Sequence, residues 1–435
     1  MTYCVDVITA DASKLKNRGL AYAFTSSPYI ITAFAGAKAA EGFYYNISWR
    51  WGFGCFAIVF PVVASPLYFV LKYNLRKAKK EGVLSEEKSN KTFLQNVWHY
   101  IIEFDSKYIP YSVLTSVVTN TDLCLVGGVI VFSAGLVIFL LPFNLADSAP
   151  NGWATGYIIA MIVVGFVMIF IFIIYEKFFA PVPLLNFKLL TNRTVIGACL
   201  IDATYQLSYY SWANYFSSFL QVVNNLGLAE AGYVGSTFDV VSGVLLLFVG
   251  FLIHKTGRFK WLLFIAVPLY IFALGLMIYF RRPNQSVGYL VMCQVFISIG
   301  GSIFIIVEQL AILAAVDHQH VAAALALLYV VGTVGNAIGA TICGAIWSNT
   351  FEKALINYLP ESDLENLDAI YEDLDTQMSY EVGSETRLAI QESYGYAQTR
   401  MLAAGTAIMG LSLIWMLFIR NIDLRKVPQV KGVVF

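Results

Sequence analysis

The sequence predicts an all-α polytopic membrane protein, and three observations carry that prediction. Hydrophobic residues make up 58% of the 435 and charged residues only 13%, where a soluble domain carries about 25% charged residues; the mean hydropathy is +0.68. The apolar residues gather into blocks of about 18 to 25, each long enough to cross a hydrocarbon core of about 30 Å as a helix. The connections between blocks alternate between rich and poor in Lys and Arg, as the two sides of a membrane require. The apolar blocks make the lipid bilayer the expected surroundings, and with a formal net charge of zero nothing points to nucleic acid as a partner.

The predicted spans, about ten, cover 19–40, 51–71, 123–143, 153–174, 195–220, 232–253, 261–280, 287–314, 322–347 and 397–419. Before them, the first dozen residues read as the tail of a helix already under way, with no cleavable signal peptide, because no apolar stretch precedes Asp6 and Asp11. The basic connections are Lys14/Lys16/Arg18, Lys72 to Lys107, Lys177/Lys188/Arg193, Lys255/Arg258/Lys260 and Arg420 to Lys431, which places these on the cytoplasmic side. Two features depart from the pattern: Arg281 and Arg282 fall outside, and the inner connection near Asp317 has no Lys or Arg. The outer side holds an acidic loop at 348–396. The sequon Asn46-Ile47-Ser48 lies in an outer connection of about ten residues, too short to favour glycan transfer, and is read as a chance match.

Grouping the spans gives a domain plan. Residues 1–72 read as the remnant of an N-terminal helical bundle, 73–122 as a basic cytoplasmic linker, 123–175 as two inserted linker spans, 190–420 as a C-terminal six-helix bundle and 421–435 as a cytoplasmic tail. This is the layout of a two-bundle transporter with a helix pair set between its halves. The six cysteines, Cys4, Cys55, Cys124, Cys199, Cys293 and Cys343, are scattered singly without metal-ligand spacing, and read as small reduced hydrophobes. No nucleophile, metal cluster or phosphate loop stands in an extramembrane segment, so the expectation is a protein without cofactor that is not an enzyme.

The run from Gly250 to Lys260, GFLIHKTGRFK, resembles the loop signature of the major facilitator superfamily, with His254 in place of the usual Asp and with Lys255, Gly257 and Arg258 in register. Glycines there permit a tight turn, and the cations pair with helix C-termini or neighbouring carboxylates, so the loop is a candidate gate. Longer strings are more specific: DASKLKNRGLAYAFTSSPYIITAFAGAKAAE from Asp11, SWRWGFGCFAIVFPVVASPLY from Ser48, LLPFNLAD from Leu140 and QESYGYAQTR from Gln391. Together they are similar to the fungal siderophore iron transporters. The resemblance implies a major facilitator fold of the fourteen-span type, and import of ferric hydroxamate chelates, such as ferrichromes and ferrioxamines, driven by protons. It also implies four further spans before Asp11 and a membrane location at the plasma membrane or endosomal vesicles. Tyr394, Tyr396 and Arg400 match the family pattern before the last span, where the resemblance implies a gate for substrate entry; composition alone gives a flexible acidic loop. Residues 106–125 lack family-like character and read equally as an insertion or gene-model artefact and as a lengthened linker.

Three carboxylates lie inside spans: Asp202, Asp239 and Glu308. Ionisable groups there cost about 2.5–3.5 kcal/mol to insert on translocon scales, which makes each a candidate proton carrier; a structural hydrogen bond is the alternative. From Asp202 the span continues through Tyr205, Gln206, Tyr209, Tyr210, Trp212, Asn214 and Tyr215. Tyr205, Tyr209 and Trp212 share a helical face. Aromatic faces with hydroxyl and amide groups suit a bulky chelate whose iron is already fully ligated, and aromatic packing or an interfacial belt competes with that role. His318 and His320 beside Asp317 read as a solvated loop ahead of a metal site. The function expected is a proton symporter for iron-loaded hydroxamate siderophores; a glutathione-proton exchanger of the same fold and a truncated product that transports nothing are the alternatives.

Overall fold

The computed structural model describes residues 2–81, 122–146, 149–178, 189–317 and 320–426, and every regular element among them is helical. The linker beyond residue 81, most of the 106–125 stretch, Lys188, His318 and the tail after 426 lie outside the described residues. The N-terminal portion runs through α1 (Thr2–Ala12), α2 (Leu15–Ser26), α3 (Tyr29–Gly42), a single π-helical turn (Phe43–Ile47) and α4 (Trp49–Lys80). Pro28, which has no N–H to donate, divides the predicted span 19–40 into α2 and α3. Pro61 and Pro66 sit within α4 without ending it.

Next come α5 (Asp122–Leu140), α6 (Pro142–Leu145) and α7 (Gly156–Phe178), with α5 and α7 packed as a pair through Phe132 and Phe172, ring centroids 4.8 Å apart. The C-terminal portion holds α8 (Arg193–Ala213), α9 (Phe216–Val222), α10 (Leu228–Gly235), α11 (Thr237–Thr256), α12 (Lys260–Phe280), α13 (Val287–Ala315), α14 (Val321–Tyr358), α15 (Leu367–Glu372), α16 (Leu374–Ser379), α17 (Glu385–Met409) and α18 (Ser412–Phe418).

Seven helical segments among the described residues are long and apolar enough to cross a membrane, against about ten spans predicted. The other three predicted regions are helical as well. Region 19–40 is broken at Pro28, the apolar run Val131–Leu145 is shorter, and α8 carries Asp202, Gln206 and three tyrosines in its apolar sequence. The stretch 348–396 differs from its reading as a loop: α14 continues to Tyr358 and α17 begins at Glu385, leaving 359–384 as the connection. Charges at Glu352, Lys353 and Arg387 end the hydropathy signal there, while the backbone ladder continues past it.

Two close approaches position the site. Gly335 and Gly339 on α14 lie against the backbone of α8 at Ala203 and Leu207, the contact expected of a small-xxx-small pair. The N-terminal portion meets the C-terminal one through α2 and α3 on α10 and α11, where Phe34 and Tyr233 pack with ring centroids 5.7 Å apart. Large exposed apolar side chains line α4 and α7, for example Phe53, Phe60, Phe166 and Phe170, the surface a bilayer would cover.

Candidate functional site

A cavity of ≈ 320 Å³ lies along the seam between the two portions, walled by α1, α2 and α3 on one side and by α8, α11, α13 and α14 on the other. All three sequence-predicted carboxylates line it: Asp202 from α8, Asp239 from α11 and Glu308 from α13. Their positions follow from the helices that carry them. Asp202 is nine residues, about 13 Å, beyond the start of α8, and Glu308 is seven residues, about 10 Å, before the end of α13, so two helices of opposite direction bring the pair to similar depth. Asp202 and Glu308 are buried, whereas Asp239 is exposed. Among the described residues, Glu308 Oε2 is buried with no hydrogen-bond partner. Asp202 fits because Gly332 on α14 has no side chain: a Cβ there would collide with its carboxylate.

A fourth carboxylate, Asp6 on α1, lines the same cavity. Gln309 Nε2 donates to Asp6 Oδ2 at 3.3 Å, and the Tyr329 hydroxyl donates to the same oxygen. Tyr22 on α2 donates to the Asp6 carbonyl at 3.3 Å. Sequence reasoning does not single out Asp6, which precedes the first predicted span, and nothing local marks Gln309 or Tyr329. The available signal was an acidic residue within an apolar-leaning stretch just ahead of the first predicted span.

The six predicted substrate contacts separate. Gln206 and Tyr210 line the cavity. Tyr205 is buried in the aromatic core, edge-on to Tyr270 at 5.7 Å and close to Phe304. Tyr209 packs among Tyr210, Trp212 and Phe238 behind the cavity wall. Trp212 is fully buried beneath Arg281, and Asn214 is exposed where α8 ends. Arg281 itself, an exception to the charge pattern, has no exposure. Its guanidinium lies 3.9 Å from the Phe216 ring centroid and 4.6 Å from that of Trp212, and among the described residues none of its three nitrogens has a hydrogen-bond partner.

The predicted gate residues occupy two separate places. Gly257 ends α11 in the left-handed conformation, φ +69°, which a side chain disfavours. Its carbonyl accepts from Leu424 N–H at 2.9 Å, and a Cβ there would lie 2.9 Å from Asp423 Oδ1. Arg425 donates through Nε and Nη2 to the two Asp423 oxygens, each at 2.9 Å, and these bonds, with Arg258 nearby, hold the Asp423 carboxyl down at about 2. The signature loop is thereby tied to the segment after the last helix. Lys255 and Arg258 are exposed, and His254 buries Nδ1 without a partner among the described residues.

At the other end, Tyr394 is buried and donates to Gln377 Oε1 at 2.8 Å. Gln377 Nε2 donates to the Ile370 carbonyl at 2.6 Å. The first bond fastens the connecting segment to α17, and the second braces that segment internally. Arg400 stacks 3.3 Å from the Tyr396 ring centroid, and lines a second cavity with Phe143 and Trp153 of the 122–178 region. Tyr44, in the first outer connection, donates to Asp375 Oδ2 at 2.9 Å, so the two portions also touch here. Among the described residues no group of His, Cys, Asp and Glu has the arrangement of a metal site.

Comparison with known proteins gives a family. The model of the Major Facilitator Superfamily matches residues 201–351. The chain is 59% identical over its whole length to the siderophore iron transporter mirB of Emericella nidulans, covering 69% of that protein. It is 57% identical to MFS siderochrome iron transporter 1 of Gibberella zeae, covering 100% of this chain and 68% of that one. MFS siderochrome iron transporter B of Aspergillus fumigatus is 54% identical over 99% of this chain and 68% of its own length.

Proposed function

Because the chain belongs to the siderophore iron transporters of the major facilitator superfamily, we propose that it imports ferric hydroxamate chelates together with protons by alternating access. The observation that carries this reading is the chemistry of the seam cavity: among the described residues four carboxylates line it, and no Lys, Arg or His does. A ferric tris-hydroxamate is electrically neutral, since three hydroxamate anions cancel the iron charge. A tris-catecholate carries three negative charges, and a cavity of this composition repels it. Gln206 and Tyr210 offer amide and hydroxyl donors to the hydroxamate carbonyls, and Phe238 and Leu246 an apolar flank.

Ionisable groups at membrane depth are costly and mark ion pathways. Asp202, Asp239 and Glu308 are the proposed proton carriers, lying where the two portions meet. In the proposed cycle the six-helix bundle at 190–420 rocks against the N-terminal bundle about this site, with the Gly257 loop latching the inner side and the 359–384 connection covering the outer one. The membrane is that of the cell surface or of endosomal vesicles.

The reading is tested by uptake of radiolabelled ferrichrome-type chelates into a fungal cell deficient in its own siderophore uptake. Accumulation that collapses with a protonophore is expected, with a ferric catecholate left outside. Background uptake for every hydroxamate would contradict it.

A further inference from the structure

Asp202, Asp239 and Glu308 all belong to the C-terminal portion. A proton held by any of them changes charge on one side of the seam only. Asp6 is different: it is carried by α1, and both side chains that donate to its carboxylate, Gln309 on α13 and Tyr329 on α14, stand on the opposite portion. Gln309 Nε2 also lies 3.3 Å from Tyr329 Oη, so the three close into one network. Asp6 is 6% and Gln309 9% exposed, which puts this link inside the seam. Glu308, the residue next to Gln309, lines the same cavity.

We propose that Asp6 is a further coupling residue, the carboxylate that ties a proton to the opening of the seam. The inference rests on the proton-symport reading and adds the step by which a proton would act on the bundles. Ionised Asp6 accepts both cross-seam bonds and holds α1 against α13 and α14. A proton taken up on Oδ2 makes that oxygen a donor, weakens it as the acceptor of the Tyr329 hydroxyl and removes the charge that orients the Gln309 amide. The link then weakens, the seam opens, and the proton leaves to water on the other side before the link forms again.

Among the described residues, charged and titratable groups stand around Asp6 on four sides. On α2 these are Tyr22 and Arg18, the latter spent on the Ala10 and Ser13 carbonyls. On α14 it is Tyr329; across the cavity stand Asp202, Asp239 and Glu308; on α1 itself are Tyr3, Cys4 and Asp11. Arg18 faces the end of α1 and leaves the Asp6 carboxylate to its two neutral donors.

The test compares wild type, Asp6→Asn and Tyr329→Phe in proteoliposomes. It reads uptake of a ferric hydroxamate with and without an inward proton gradient, each normalised to that variant's own substrate exchange. Wild type is expected to show gradient stimulation, and Asp6→Asn a stimulation ratio near one. Stimulation retained in Asp6→Asn overturns the proposal while the symport reading stands; no stimulation in wild type overturns both. If Asp6→Asn gives no exchange, Tyr329→Phe decides. Loss of one donor to the ionised carboxylate raises its proton affinity, so the pH midpoint of uptake should rise by about half a unit. An unmoved midpoint overturns the assignment.

Discussion

Gly19 and Gly250 bring α2 and α11 into backbone contact at the seam: a Cβ built on Gly250 would lie 2.9 Å from the Gly19 carbonyl oxygen. That contact sets how closely the two portions approach, and so the width of the cavity beside it.

Gly250→Val forces α2 and α11 apart, since the obstruction is backbone and cannot rotate away. Overpacking of this kind costs about 1–3 kcal/mol. A lower detergent melting temperature, with transport reduced and substrate still bound, is expected. Unchanged melting and transport would show that the helices do not meet at Gly250.

Asp202→Asn and Glu308→Gln each remove a carboxylate from the cavity while preserving shape. Coupling free energies of about 1–3 kcal/mol correspond to about 5- to 150-fold in the coupled quantity, and a fall of that order in gradient-driven uptake is expected for each. Asp239→Asn should have the smallest effect, since Asp239 is the exposed member. Wild-type pH dependence in all three variants would remove them as proton carriers.

The Asp423–Arg425 clasp behind Gly257 should not respond to physiological pH. Its carboxyl is held at about 2 by the guanidinium, below its ordinary value, so the stabilisation is complete above about pH 4 and is lost only as pH falls through about 2. Asp423→Asn is therefore expected to change the rate of transport and leave its pH midpoint where it was. A moved midpoint between pH 5 and 8 would mean that the clasp titrates with the cycle.

Tyr394→Phe removes the donor to Gln377 Oε1, which is buried with it. A buried acceptor left without a partner costs about 1–3 kcal/mol, and the loss falls on the 359–384 connection. Faster proteolysis of that connection in membranes is the expected readout; unaltered cleavage would show that the bond does not fasten it.

The helices and the carboxylates were legible in the sequence for one reason: a membrane tolerates few polar groups, so Asp202 and Glu308 stand out from apolar runs. Asp6 did not stand out, because its segment is not itself an apolar span and its partners, Gln309 and Tyr329, are more than 300 residues away. Helical spacing puts Tyr205, Tyr209 and Trp212 along one face of α8. It could not say which face meets the cavity, because α8 is packed on several sides by α13, α14 and α17. Arg281 was visible as an exception to the charge rule, whereas the ring enclosure of Trp212 and Phe216 exists only once α8, α9 and α12 are assembled. The ends of α14 and α17 were misjudged because hydropathy reports where lipid ends, and these helices continue beyond it.

The most direct measurement follows iron and protons together in proteoliposomes containing the purified protein, with a neutral ferric tris-hydroxamate outside and a pH dye inside. Iron entry accompanied by internal acidification, abolished when a tris-catecholate replaces the hydroxamate, is the predicted result. Iron entry with no proton movement, or equal entry of the anionic chelate, would contradict transport through a carboxylate-lined seam.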